Sequence, residues 1–284
     1  MWGPRLAIAV VLLVLVSTAQ RTGAVELTED EYVFRLGGCV ACHTREGGGF
    51  LAGGPALETP FGTFFAPNIT ADEDSGIGAW READLRRALG QGVAPDGSHY
   101  YPVFPYTAYT RMSDEDVRRL YRYLLKTKAD PAPRREHNVP WFMGFRVLNW
   151  FWKLLFFDEG RYVPDPTRSA AWNRGAYVSE ALAHCGACHS PRNFLGAVSG
   201  ERYAGNPHGP EGGAVPNITP HTDKGIGAWS PAEIVDYLTS GALPDGDYAG
   251  GAMATVIDEG LQYLKAADAE AIADYLKGIP ARAQ

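Results

Sequence analysis

Cys39-Val40-Ala41-Cys42-His43 returns 146 residues later as Cys185-Gly186-Ala187-Cys188-His189. These two C-x-x-C-H stretches use all four cysteines of the 284-residue chain. The sequence around them repeats as well. Pro67-Asn68-Ile69-Thr70 becomes Pro216-Asn217-Ile218-Thr219, and Gly76-Ile77-Gly78-Ala79-Trp80 becomes Gly225-Ile226-Gly227-Ala228-Trp229. Asp96-Gly97 becomes Asp245-Gly246, and these three offsets are all 149. A fixed offset marks a duplicated structural unit. Each unit has about 115 residues, enough to hold its own core.

Helix signals fall in the same order in both copies. Thr28 with Glu31 reads as a capping box before the first motif, and the matching helix of copy two is expected over Ala170–Ala183. Arg81–Leu89 and Pro231–Leu238 should be helical, the latter capped by Ser230 with Pro231 and Glu233 behind it. Ser113 caps a helix over Asp114–Lys126, whose Val117, Leu120, Tyr121 and Leu124 share one face. Its counterpart is Ala267–Lys277. Strand signals are weak, and 33 glycines and 20 prolines indicate long loops. The expected class is all-α, with two units over 25–138 and 165–284 joined by an aromatic-rich linker, 139–164. That linker holds Trp141, Phe142, Phe145, Trp150, Phe151, Trp152, Phe156 and Phe157. It either packs its aromatics between the units or lies as an amphipathic helix on a membrane or partner.

Two thiols on one helical turn can each add to one vinyl group of a single haem, and the next histidine is then held under the iron. Zinc would need a fourth ligand, and a thioredoxin-like pair needs a strand–helix alternation that is missing. The spacing also opposes a disulfide framework. Cys39, Cys42, Cys185 and Cys188 are therefore read as the covalent attachment points of two haem c groups, with His43 and His189 as proximal iron ligands. The sixth ligand decides function, because a second protein ligand leaves electron transfer and an open position permits oxygen or peroxide chemistry. Of four methionines, Met1 lies in the N-terminal segment and Met143 in the linker. Met112 and Met253 remain as the expected axial ligands, one per copy, although Leu264 is the repeat counterpart of Met112. His99, His137, His184, His208 and His221 read as surface or hydrogen-bonding residues, His99 being the strongest alternative ligand among them. The Asn-Ile-Thr stretches match a glycosylation acceptor, but their place suggests a loop along the haem edge. Trp80 and Trp229 are expected to pack on the porphyrin, donate to a propionate, or fill the core.

Arg5, the apolar run Leu6–Val16 and small residues at Thr22 and Ala24 read as a signal peptide over 1–24. A cut after Ala19, or a retained anchor, is the alternative. The run is short of the roughly 20 residues of a membrane span. The expected location is the periplasm, with association at the inner membrane surface. A formal net charge of −7 argues against a nucleic-acid partner.

Asp96-Gly97-Ser98-His99-Tyr100-Tyr101-Pro102, Phe104-Pro105-Tyr106-Thr107 and Met112-Ser113-Asp114-Glu115-Asp116 resemble the cytochrome c subunits of bacterial membrane-associated alcohol, sorbitol and gluconate dehydrogenases. So do Trp172-Asn173-Arg174-Gly175-Ala176-Tyr177 and His184 to Asn193, and Gly251-Ala252-Met253-Ala254 resembles their second-haem methionine loop. The resemblance covers nearly the whole chain after residue 24. It implies two tandem class I-like cytochrome c domains, axial pairs His43/Met112 and His189/Met253, and an electron-accepting role beside a catalytic subunit. Many of these subunits carry three haems and a C-terminal membrane-associating helix; two motifs are found in this sequence.

The leading expectation is an electron-transfer subunit, not an enzyme in itself. It would take electrons from a partner dehydrogenase and pass them to a quinone, an oxidase or another cytochrome. The alternative is a diheme enzyme such as a peroxidase or thiosulfate-oxidising cytochrome, which needs one exchangeable iron position. A haem-bearing sensor or assembly factor is a third reading, for which no signalling domain is seen.

Overall fold

The computed structural model describes residues 27–209 and 212–283, so the expected signal peptide lies outside the described residues. In chain order, copy one runs α1 (Glu29–Leu36), α2 (Cys39–His43), the strands β1 (Ala56–Thr59) and β2 (Gly62–Phe65), α3 (Glu82–Gln91), α4 (Tyr106–Tyr109) and α5 (Asp114–Leu124). After α6 (Val147–Phe156), copy two runs α7 (Ala170–Tyr177), α8 (Pro231–Ser240), α9 (Gly251–Glu259) and α10 (Ala266–Gly278). The fold is mostly helical. Its one sheet among the described residues is the β1–β2 hairpin, antiparallel with Ala56 opposite Phe65.

The caps act largely as expected. Ser113 accepts from the Asp116 amide, and Ser230 with Glu233 makes a full reciprocal box at the start of α8. At α1 only half the box forms: Thr28 accepts from the Glu31 amide at 3.2 Å, while the Glu31 carboxylate turns to Arg35 at 3.5 Å. The helix expected to reach Ala183 changes form on the way: it is α-helical to Tyr177. It passes into a π turn at Val178–Leu182, then a 3-10 turn at Cys185–Ala187. α7 crosses α10 very closely at Gly175, where a Cβ would lie 1.9 Å from the Ala271 carbonyl oxygen.

The buried side chains of both copies form one continuous cluster rather than two separate cores. The cause is α1, in which Tyr32, Val33, Phe34 and Leu36 are all buried. Such a helix is apolar on more than one face and must be covered on both. It packs on α5 and also against the copy-two turn at Leu261–Tyr263. Polar bonds tie the same seam. Asp268 accepts from Tyr32 at 2.6 Å and from the Arg174 guanidinium at 2.7 and 2.6 Å, and Tyr177 donates to Asp116.

α6 is inverted relative to an ordinary surface helix. Its buried residues are Asn149 and Lys153, while Trp150, Phe151, Leu154 and Leu155 are exposed. Lys153 donates to the Gln91 and Gly92 carbonyls at 2.6 and 2.9 Å. That places a cation at the C-terminal end of α3, where the helix dipole favours it. Asn149 donates to the His99 carbonyl at 3.1 Å. Most rings of the aromatic stretch therefore face outward, while Phe157 packs on Tyr106 of copy one and Trp152 reaches Leu195 of copy two. No helix of the described residues is long and apolar enough to cross a membrane.

Candidate functional site

The two C-x-x-C-H turns are built differently. Cys39–His43 is a short α-helix entered through Gly38 at φ +64°, whereas Cys185–Ala187 is a 3-10 turn entered through His184 at φ +40°. All four cysteines are free and half-buried. Burial pushes the Cys39 and Cys185 thiols up to about 12. Burial, with Cys188 nearby, brings Cys42 to about 11. They are neutral thiols rather than reactive thiolates, which fits attachment points better than a redox-active pair. A Cβ at Gly38 would lie 3.3 Å from His184 Nε2, so the two turns adjoin.

Each histidine is aimed by the same contact. His43 donates from Nδ1 to the Pro67 carbonyl at 2.7 Å, and His189 donates from Nδ1 to the Pro216 carbonyl at 2.8 Å. Such a bond fixes the tautomer and leaves the Nε2 lone pair for a metal. Burial lowers both imidazole pKa values, against the opposing effect of the carbonyls, so the rings favour the neutral form that ligates. Paired thiols and an oriented imidazole on one turn are the donor set that a covalently held haem requires.

The repeated Asn-Ile-Thr stretches hold those carbonyls in place. Asn68 Oδ1 accepts from the Thr70 amide and hydroxyl at 2.9 and 2.8 Å, and its Nδ2 donates to the Asp130 carbonyl at 2.7 Å. Asn217 repeats the arrangement with Thr219 at 2.7 Å for both bonds, and with the Arg282 carbonyl at 2.8 Å. Both asparagines are buried, so these stretches are clamps between the haem-side loop and the end of each copy, not glycan acceptors. The following turn demands glycine: a Cβ at Gly76 or Gly225 would lie 2.3 or 2.2 Å from the Thr70 or Thr219 carbonyl oxygen. Trp80 and Trp229 are half-buried against the core, and Tyr121 and Lys277 donate to their carbonyls at 2.8 and 2.9 Å.

Met112 and Met253 are not placed alike. Met112 has 0% exposure inside the core, whereas Met253 is half-buried on α9 at the core's edge. Met143 sits in the turn Trp141–Gly144, its carbonyl accepting from Tyr101 at 2.7 Å. His99 is half-buried, with Nδ1 enclosed and unpartnered. His137 packs on Phe64 and Tyr101, and burial, with Arg146 and Arg134 behind it, pushes it down to about 4. The His221 ring accepts from the Asp223 and Lys224 amides, and His208 is exposed. The ring of His184 lies against Gly38 and 5.2 Å from Tyr109, so this residue of copy two touches the copy-one motif. The local signal for it was only its place before Cys185.

Comparison with known proteins agrees with this geometry. A family profile described as cytochrome c matches residues 31–128. The chain is 42% identical over 268 residues to a diheme cytochrome c-type protein of Cereibacter sphaeroides, covering 90% of this chain and 86% of that one. It is 40% identical over 263 residues to the fructose dehydrogenase cytochrome subunit of Gluconobacter japonicus, covering 91% of this chain and 53% of the relative. It is also 35% identical over 261 residues to the gluconate 2-dehydrogenase cytochrome c subunit of Pantoea cypripedii, covering 89% of this chain and 59% of the relative. The chain thus spans little more than half the length of these two dehydrogenase subunits. With two thiol pairs beside carbonyl-aimed histidines, and a diheme relative matched along most of its length, the chain belongs to the family of c-type cytochromes that includes the cytochrome subunits of these dehydrogenases.

Proposed function

We propose that this protein is an exported diheme electron carrier. It binds one haem c through Cys39, Cys42 and His43 and a second through Cys185, Cys188 and His189, with Met253 as the distal ligand of the second. The observation that carries the reading is the duplicated histidine contact, Nδ1 to the Pro67 and Pro216 carbonyls, beside each thiol pair. The haems supply the one-electron chemistry; the chain attaches, orients and shields them. Copies one and two, 25–138 and 165–284, act as two cytochrome domains, with 139–164 between them and 1–24 removed on export to the periplasm.

The partner is a dehydrogenase, as the names of the relatives support, and the downstream acceptor is a quinone, an oxidase or another cytochrome. The outward face of α6 is a docking surface for that dehydrogenase. Trp141 is 81% exposed and Leu155 71%, and the patch continues to Phe194, since Trp152 donates to the neighbouring Leu195 carbonyl at 2.9 Å. An apolar, aromatic-rich face of this kind is characteristic of interface cores. Two haems per purified chain, and reduction of both by the copurifying dehydrogenase with its substrate, is the expected result. One haem per chain, or a chain that no dehydrogenase accompanies or reduces, overturns the proposal. Binding of the purified chain to lipid vesicles alone would reassign the α6 face to the membrane surface.

A further inference from the structure

We infer that the first haem site has no methionine on its distal side, and that Phe104 leaves that face open to a neutral diatomic ligand; this rests on the two-haem reading above. Backbone hydrogen bonds fix the correspondence between the copies. In copy one Ala94 N donates to Ser98 O and Tyr100 N to Gly92 O; in copy two Leu243 N donates to Asp247 O and Ala249 N to Gly241 O. Each pair of atoms is 149 residues from its counterpart. Continued four residues further, that spacing pairs Phe104, two residues before α4, with Met253, the third residue of α9.

The other end of the loop is fixed as well. Met112 N donates to Tyr109 O, and Leu264 N donates to Leu261 O, both at 2.9 Å and 152 residues apart. Ser113 and Lys265 then start α5 and α10 at the same spacing. The difference is taken up by α9, which has nine residues where α4 has four. Burial follows the same pairing. Met112 and Leu264 are both in the core, while Phe104 and Met253 are both half-buried against it. Met112 thus holds the same core position at the start of α5 that Leu264, which has no ligating atom, holds at the start of α10.

Phe104 has no donor atom. Around it lie the rings of Tyr100, Tyr106 and Tyr109, with centroids at 5.3, 6.2 and 5.8 Å. The Tyr109 hydroxyl is committed to the Gly37 carbonyl at 2.6 Å. The Tyr106 hydroxyl is buried without a partner among the described residues, so this aromatic wall carries one free donor; a neutral diatomic such as carbon monoxide or nitric oxide needs none to bind.

Carbon monoxide is the probe, preceded by a haem count on the full chain. Fewer than two haems overturns the earlier reading and this inference with it. With two haems present, the ferrous protein should bind one carbon monoxide per chain. The ferric protein should show the near-infrared methionine–iron band at the intensity of one haem. Met112→Leu should change neither. Met253→Leu should raise uptake to two and abolish the band, and Phe104→Met should abolish uptake and double the band. No uptake by the unaltered protein, loss of band in Met112→Leu, or uptake still at one in Met253→Leu would each overturn the inference. Should Phe104→Met misfold, the unaltered protein and the other two variants decide.

Discussion

Copy one and copy two hold their histidines in nearly the same way, at 2.7 and 2.8 Å from equivalent proline carbonyls. They diverge on either side of that bond. The cysteine turn is α-helical in one and 3-10 in the other, and Phe104 of copy one stands 149 residues before Met253 of copy two. The proximal bond depends on a short clamp repeated within each copy. The attachment turn and distal loop depend on what each copy meets elsewhere. Duplication therefore preserved the geometry that is closed locally, and left the rest free to differ.

The strongest way to break the comparison is to remove one attachment turn at a time. Cys39→Ala/Cys42→Ala and Cys185→Ala/Cys188→Ala should each halve the haem content measured by pyridine haemochromogen. Loss of all haem in either variant would show that the copies do not load independently. Next come the clamps. Asn68 donates to three acceptors, the Asp130 and Ala132 carbonyls and Ser75, while Asn217 donates to one, the Arg282 carbonyl. The Asn68 amide has two N–H groups to share among its acceptors, so it makes one donated bond more than Asn217; at about 1 kcal/mol per bond, Asn68→Ala should cost about 1 kcal/mol more than Asn217→Ala. Equal losses in denaturant unfolding would mean that the extra bond adds nothing.

The seam between the copies follows. Although burial pushes the Asp268 carboxyl up, hydrogen bonds from Arg174 and Tyr32 outweigh it and hold the group below the usual carboxylate range. Asp268→Ala should therefore cost about 2 kcal/mol near neutral pH. A depressed carboxyl pKa gives stability that is present above the ordinary value and lost as pH falls through the folded one. The wild-type advantage should thus shrink below about pH 4; an advantage unchanged there would exclude the ion pair as its source. The smallest effect on folding is expected on α6. Trp150→Ser with Phe151→Ser should change stability by only about 0.5 kcal/mol per site, as for other exposed positions, while weakening association with the dehydrogenase. Collapse of the haem spectra in that variant would show these rings to be structural.

The two C-x-x-C-H stretches could be singled out as candidate haem sites because the pattern closes within one helical turn. The caps at Ser113 and Ser230 were legible for the same reason. The partners of Pro67 and Pro216 were not, since nothing local links those carbonyls to histidines 24 and 27 residues away. The change from α to π after Tyr177 was also hidden, since Val178–Leu182 contains neither glycine nor proline. On α6, Asn149 and Lys153 look like the solvent side of an aromatic helix. Only the free carbonyls at the end of α3 and at His99 turn that face inward. The single core followed from α1, whose buried run was visible but whose second partner, Asp268, lies 236 residues from Tyr32.

Gly38 and His184 occupy the same position in their respective copies, both in the left-handed region, and a Cβ at Gly38 would lie 3.3 Å from His184 Nε2. Counterparts that touch one another are what a two-fold axis between like halves produces. On such an axis two bulky side chains would compete for one volume. A dimer of identical chains would have to carry a small residue there twice. Joining the halves in one chain lifts that restriction: one half can keep glycine and the other can fill the shared space with an imidazole.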